Sequence, residues 1–207
     1  MTAHDPKLSR RALLAGAGAL VIGFHLPRNA KAQSGAGAAY RPGGNATFAP
    51  NAFIRVAPDS TVTVLIKHIE FGQGPFTGLA TLAAEEMDAA WSQMRAEHAP
   101  ADVKLYANLA FGVQGTGGST AIANSWEQMR KAGAAARVML VQAAATAWNV
   151  PAGEIKVEDG VISHASGHKG SFGEFAEAAS RLPVPENPPL KPASAYKLIG
   201  KEGATKR

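Results

Sequence analysis

An alanine-rich run that opens after Thr120 and ends near Trp148 constrains the fold more than any other stretch. Ile122, Trp126, Met129, Gly133, Leu140 and Ala144 recur in it near a 3.6-residue period. That spacing predicts one long helix with a buried face. Asn149-Val150-Pro151 ends it, because the residue before a proline is pushed out of the helical region. Such a helix needs a layer to lie on, and short strand-like segments supply one.

Phe53 to Val56 and Val62 to Ile66 are rich in β-formers, with Pro58-Asp59-Ser60 as the turn between them. Thr77 to Met87 reads as a helix. Met94 to Ala99 reads as a strand, since Met94, Ala96 and His98 alternate with Arg95 and Glu97. Ile155 to Val157 and Val161 to Ser163 flank Asp159-Gly160, a hairpin signal. Ser171-Phe172-Gly173-Glu174 is a capping box for a short helix to about Ser180. The fold class expected is α+β: short mixed or antiparallel strands with helices packed on one face.

The first 32 residues read as an address rather than a fold element. Ser9-Arg10-Arg11 precedes an uncharged stretch that runs to Phe24, too short for a bilayer span of about 20 residues. Ala30-Lys31-Ala32 offers a small-x-small cleavage site. Adjacent arginines before a mild apolar run resemble a twin-arginine export signal, which predicts a periplasmic protein exported already folded. The organisation expected is therefore a signal peptide at 1–32, a Gly/Ala/Pro-rich linker at 33–50, an α+β segment at 51–182, and an extended tail at 183–207. Five prolines between 183 and 192 enforce that extension.

The formal net charge is +5, of which residues 1–32 carry +4. The folded part is close to neutral and offers no basic, aromatic-interleaved face, so nucleic acid is not an expected partner. The chain has no cysteine, which excludes disulfides and iron–sulfur ligation by its own side chains.

Two glycine-rich turns carry the candidate chemistry. Glu70-Phe71-Gly72-Gln73-Gly74 stands between a strand and a helix. Its glutamine has a donor and an acceptor to offer a heterocycle edge or a metal-bound oxygen; the plainer alternative is a tight turn with a solvent-facing side chain. Gly115 to Thr120 leads into the long helix, where backbone N–H groups and the Ser119 and Thr120 hydroxyls could cradle an anion. Gly118 stands where a nucleotide-binding P-loop requires lysine. Glu85 and Glu86 read as a solvated helix end, and His68 as a strand-end packing residue. His164 and His168 have helical metal-ligand spacing, but Gly167 argues against a helix there.

The ordered pair of motifs, E-x-G-Q-G followed by Q-G-T-G-G-S-T before an alanine-rich helix, resembles the large subunit of the xanthine oxidase family. Within it, the isoquinoline oxidoreductase and periplasmic aldehyde dehydrogenase branch is most similar. The resemblance covers roughly residues 53 to 200. It implies a molybdenum–molybdopterin cofactor, in the cytosine dinucleotide form. It places Phe71, Gly72 and Gln73 at the molybdenum end and Thr116, Gly117, Gly118, Ser119 and Thr120 around the dinucleotide phosphate. Phe71 stands where methionine is common. The resemblance further implies partners: the remaining part of the large subunit, a small iron–sulfur subunit and, in some relatives, a membrane cytochrome. The family's catalytic glutamate belongs to that remaining part, so this chain is expected to be a cofactor-binding component of an enzyme oxidising aldehydes or N-heterocycles. The alternatives from other classes are an exported non-catalytic binding or assembly module, and an inactive truncated fragment.

Overall fold

The structure, a computed structural model, describes the backbone at 20–26 and 48–52 and backbone with side chains at 53–205. A four-stranded mixed sheet of order β1-β2-β3-β4 is built from Leu20–Leu26, Phe48–Val56, Val62–Ile66 and Met94–His98. The β1–β2 and β2–β3 pairs are antiparallel, and β3 pairs with β4 in parallel, Val62 opposite Met94 and Ile66 opposite His98. A parallel pair needs a crossover, and helix α1 (Pro75–Met87) provides it. A short helix α2 (Val103–Tyr106), not foreseen from the sequence, starts at Asp102, whose carboxylate accepts from the N–H groups of Lys104 and Leu105. Helix α3 is Thr120–Trp148, and α4 is Phe172–Ser180. A second antiparallel sheet joins β5 (Lys156–Glu158), β6 (Val161–Ser163) and β7 (Lys169–Ser171). The architecture is α+β, as the sequence predicts.

The core lies between the large sheet and the helices. Ile54, Val56, Val62, Val64 and Met94 are fully buried, as are Leu79, Met87, Met129, Leu140 and Phe172. Phe53 alternates to the other sheet face, where its ring meets Tyr106 of α2 edge-on at 5.6 Å. Helices α1 and α3 touch at backbone distance: a Cβ on Gly133 would sit 2.5 Å from the Ala83 carbonyl oxygen. The buried alanines 132, 135, 136, 143 and 144 keep the rest of that face equally thin. The expected capping box is present, with Ser171 Oγ accepting from Glu174 N and Glu174 Oε1 accepting from Ser171 N. Asp159 and Gly160 take left-handed φ values of 46° and 73°, the geometry of the expected two-residue hairpin turn.

Three expectations need correction. Met129, Gly133, Leu140 and Ala144 are buried, but Ile122 and Trp126 are 37% and 36% exposed. The first turns of α3 bury Asn124, Ser125 and Gln128 instead, because they rest on a polar floor rather than on the sheet. Glu85 and Glu86 are not solvated: both are essentially inaccessible. Chain 191–199, expected only as extended tail, folds back over α1 to reach them and packs on that helix.

Of the expected signal peptide, Ser9 to Leu14 and Ala30 to Ala32 lie outside the described residues. Leu20–Leu26, in and just beyond its uncharged stretch, forms strand β1. Strand β2 begins at Phe48, inside the expected linker. No helix among the described residues is long and apolar enough to cross a membrane.

Candidate functional site

Strand β3 delivers the chain into the turn 67–74, and Glu70 shapes that turn. Its Oε1 accepts from the N–H groups of Gly72 and Gly74, and its Oε2 accepts from Phe76 N. These N–H groups, Gly74 above all, hold the Glu70 carboxyl below its ordinary range against a smaller opposing effect of burial. A carboxylate at the start of α1 also suits the positive end of that helix. Glu70 is thus the organiser of the turn.

Gln73 is exposed and locked by its own turn. Its Nε2 donates to Ile69 O at 2.7 Å, and its Oε1 accepts from Phe71 N at 2.8 Å. One N–H and one lone pair of the amide remain for another group. Phe71 is 73% exposed, and Gly72 adopts φ 105°.

The second turn is tied to the first. Ile69 N donates to Thr116 Oγ1 at 2.8 Å, so the two motifs are neighbours although 47 residues separate those partners. Asn108 braces the loop from inside: its Nδ2 donates to Gly115 O and to Thr120 Oγ1, and its Oδ1 accepts from Ala110 N. Thr120 N and Thr120 Oγ1 both donate to Gly117 O. Gly118 and Ser119 follow each other in the left-handed region, at φ 56° and 55°, and turn the chain into α3. No side chain caps that helix. Gly118 is exposed, and a Cβ there would meet Phe111 at 3.6 Å and Thr120 at 3.8 Å, ordinary contacts. The helix mouth is therefore open to an anion, with N–H groups presented and the helix dipole favourable.

Beneath both turns lies a buried polar floor. Lys67 is 5% exposed, and its Nζ donates to Ala107 O at 3.2 Å and to Asn124 Oδ1 at 3.3 Å. Asn124 Oδ1 also accepts from Leu109 N. Among the described residues no carboxylate pairs with Lys67, and burial lowers its pKa to about 7. His68 is 1% exposed, with Nε2 3.2 Å from Ser125 Oγ. Its Nδ1 has no partner at hydrogen-bond geometry; the Gly115 backbone acts on the ring only from a poorer position. Burial first, and the Lys67 charge second, lower the His68 pKa to about 4, so its ring is neutral at physiological pH.

The sequence pattern points to Phe71, Gly72, Gln73 and Thr116 to Thr120, and the structure brings these two groups together through Ile69. The pattern does not single out Lys67, Asn108 or Asn124. The available signal was weak: Lys67 and His68 directly extend a strand that is apolar except for Thr63, and the two asparagines bracket the glycine loop. His164 and His168 flank a β6–β7 turn, where Ser166 Oγ bridges their Nδ1 atoms at 2.7 and 2.8 Å.

A family model described as "Molybdopterin cofactor-binding domain" matches residues 25–207. The chain is 35% identical over 184 residues to the beta subunit of the isoquinoline 1-oxidoreductase of Brevundimonas diminuta, covering 88% of this chain and 23% of that protein. It is 35% identical over 162 residues to the "Membrane-bound aldehyde dehydrogenase [pyrroloquinoline-quinone]" of Gluconacetobacter polyoxogenes, covering 76% and 20%. It is 30% identical over 155 residues to one subunit of the nicotinate dehydrogenase of Pseudomonas putida, covering 72% and 12%. The chain thus spans less than a quarter of the length of each of these relatives.

Proposed function

The chain belongs to the molybdopterin cofactor-binding domain family, and on that premise we propose that its two joined turns hold opposite ends of one cofactor. Phe71, Gly72 and Gln73 face the molybdenum end, and Thr116 to Thr120 hold the phosphate of a dinucleotide form of the pterin, the cytosine one. The observation that carries this reading is the Ile69 N to Thr116 Oγ1 bond, which sets the exposed Gln73 turn beside the open mouth of α3.

The residues present fit such a group. An uncapped helix start, an exposed left-handed Gly118 with room beside it, and a buried ammonium without a carboxylate partner together suit a phosphate. Among the described residues no cluster of three His, Asp or Glu could hold a metal ion by itself. In this reading the metal arrives with the pterin, and the cofactor supplies the oxidation–reduction chemistry. The chain's own residues bind and orient. Gln73, pinned through Ile69 O and Phe71 N, presents its spare N–H and lone pair in a fixed direction. Exposed Phe71 and Ile69 provide apolar surface that excludes water from the metal end once covered.

The relatives' names support a larger enzyme that oxidises aldehydes or N-heterocycles. One of those names carries a different cofactor, pyrroloquinoline quinone; the family match supports molybdopterin for this chain. The small share of each relative that this chain spans supports further parts of the large subunit beyond these residues. The absence of cysteine supports a separate iron–sulfur subunit as the electron exit, with a membrane cytochrome beyond it in some systems. Ser9-Arg10-Arg11 supports periplasmic export of the loaded protein. The test is elemental and nucleotide analysis of the chain purified with the products of its neighbouring genes. Molybdenum, together with cytidine monophosphate released by acid, is the expected result. A pure complex with neither would overturn the reading.

A further inference from the structure

We propose that Lys67 is a positioning residue of the anion mouth: its buried ammonium, held under loop 107–119, is the counter-charge for the phosphate group bound at the start of α3. This rests on the reading of Thr116 to Thr120 as a phosphate cradle. The argument begins with burial. An ammonium that is 5% exposed has lost most of its water, and here it receives only two neutral acceptors in return, Ala107 O and Asn124 Oδ1. A buried charge without a counter-ion is costly and is normally either paired or neutralised. Among the described residues, the acids of the surrounding elements are engaged elsewhere: Glu70 of the same turn accepts from Gly72, Gly74 and Phe76 N. On β4, Glu97 pairs with Arg55; on α1, Glu85 meets Lys191 and Glu86 meets Arg130; on α3, Glu127 pairs with Lys131; Asp102 caps α2. His98 of β4 packs its ring on Phe76 at 4.6 Å. The two acceptors of Lys67, on Ala107 and Asn124, are uncharged.

The position of the ammonium gives the cost a use. Asn124 lies four residues beyond Thr120, about one helical turn inside the mouth, and its Oδ1 ties Lys67 to Leu109 of the loop as well. Lys67 therefore grips the loop at Ala107 and through Asn124, while Asn108 holds Gly115 and Thr120. The buried Nδ1 of adjacent His68, with no hydrogen-bond partner among the described residues, shows that the floor is incompletely satisfied. An anion in the mouth would pair the ammonium across a low-dielectric floor, where the attraction exceeds that at a surface. Occupancy and protonation of Lys67 are then linked: the anion favours the charged amine, and the charged amine favours the anion.

The test uses the full 207-residue chain and sulfate, which stays dianionic between about pH 6 and 9, so any linked proton belongs to the protein. The wild type should bind sulfate about tenfold more tightly at the acid end of that range, a factor set by one pKa unit of linkage. K67M should bind weakly with a flat pH profile. K67R, always charged, should restore binding but keep the flat profile. In the wild type, the lysine 13Cε signal that titrates near neutrality, assigned by its loss in K67R, should move to higher pH on adding sulfate. This last measurement decides the matter even if K67M does not fold. An unmoved midpoint, or a pH-independent wild-type affinity, would overturn the inference. G118D separates the two claims. Loss of sulfate binding in G118D with wild-type behaviour in K67M would leave the cradle standing and remove Lys67 from it. Unchanged binding in G118D would remove the cradle.

Discussion

Glu85 gathers chain that lies more than 100 residues away. Its carboxylate accepts from the backbone N–H groups of Lys197, Leu198 and Ile199 and from Lys191 Nζ, while Glu86 accepts from Arg130 Nε and Lys191 N. Burial would raise the Glu85 pKa, but those N–H groups and the ammonium outweigh it, and the folded value is lowered. The sign follows directly. A carboxylate with a depressed folded pKa stabilises the fold above its unfolded pKa, about 4.3, and that contribution is lost as pH falls through the folded value. Glu85→Ala should cost about 3–5 kcal/mol, the usual cost of removing one partner from a buried charged network. Urea unfolding would show the loss, and limited proteolysis would show cleavage within 191–199; an unchanged midpoint would show that the tail is held by other contacts. Gln73 calls for a different measurement. In the assembled enzyme, Gln73→Ala should slow turnover about 5- to 150-fold, equivalent to about 1–3 kcal/mol for a lost buried hydrogen bond. Metal content should remain, since the mutation spares the cradle. Full turnover would leave Gln73 as a turn residue only.

At the scale of elements, the start of α3 and the first strand carry the sharpest expectations. Gly118 stands at φ 56° with room for a side chain. Aspartate is among the few residues that tolerate this region, and a negative charge at a helix start is favourable to the helix. Gly118→Asp should therefore cost the fold no more than about 1–2 kcal/mol of backbone strain while repelling the cofactor phosphate. Cofactor occupancy should drop with circular dichroism unchanged; equal occupancy would show that the loop holds no phosphate. Leu20–Leu26 presents a different question, because the expected cleavage after Ala32 would remove strand β1 from its pairing with β2. Replacing Arg10 and Arg11 by lysine should trap the protein in the cytoplasm with residues 20–26 retained. N-terminal sequencing of the wild-type periplasmic fraction would show whether β1 survives export. Unchanged periplasmic yield after the replacement would count against the twin-arginine route.

For the molecule as a whole, the apolar residues around the site remain uncovered in this chain: Ile69, Phe71, Leu109, Phe111, Val113, Ile122 and Trp126 are all more than one-third exposed. On the proposed reading, the described residues supply candidate cofactor contacts, and the enclosure, base and electron exit that a hydroxylase needs would come from other parts of the enzyme. Purified alone, the chain should show no aldehyde-dependent dye reduction, and turnover with stoichiometric molybdenum would refute that. Helices α1, α3 and α4, the β5–β6 hairpin and the capping box were legible in the sequence because each is set by local chemistry: periodicity, a two-residue turn, a reciprocal Ser171–Glu174 bond. The two glycine motifs were legible for the same reason, since positive φ and an open helix start are local demands. Which polar residues go inside was not legible. Glu85 and Glu86 carry the same charge whether hydrated or buried, and only the return of residues 191–199 provides the N–H groups that make burial tolerable. Lys67 likewise looks like any strand-end lysine until loop 107–119 closes over it. The sequence determined three of the helices, strands β2 to β6 and the two turns through short-range sterics and hydrogen bonding; strands β1 and β7 and helix α2 came only with the structure. The tertiary structure decided which charges lost their water, because desolvation depends on what distant chain covers them.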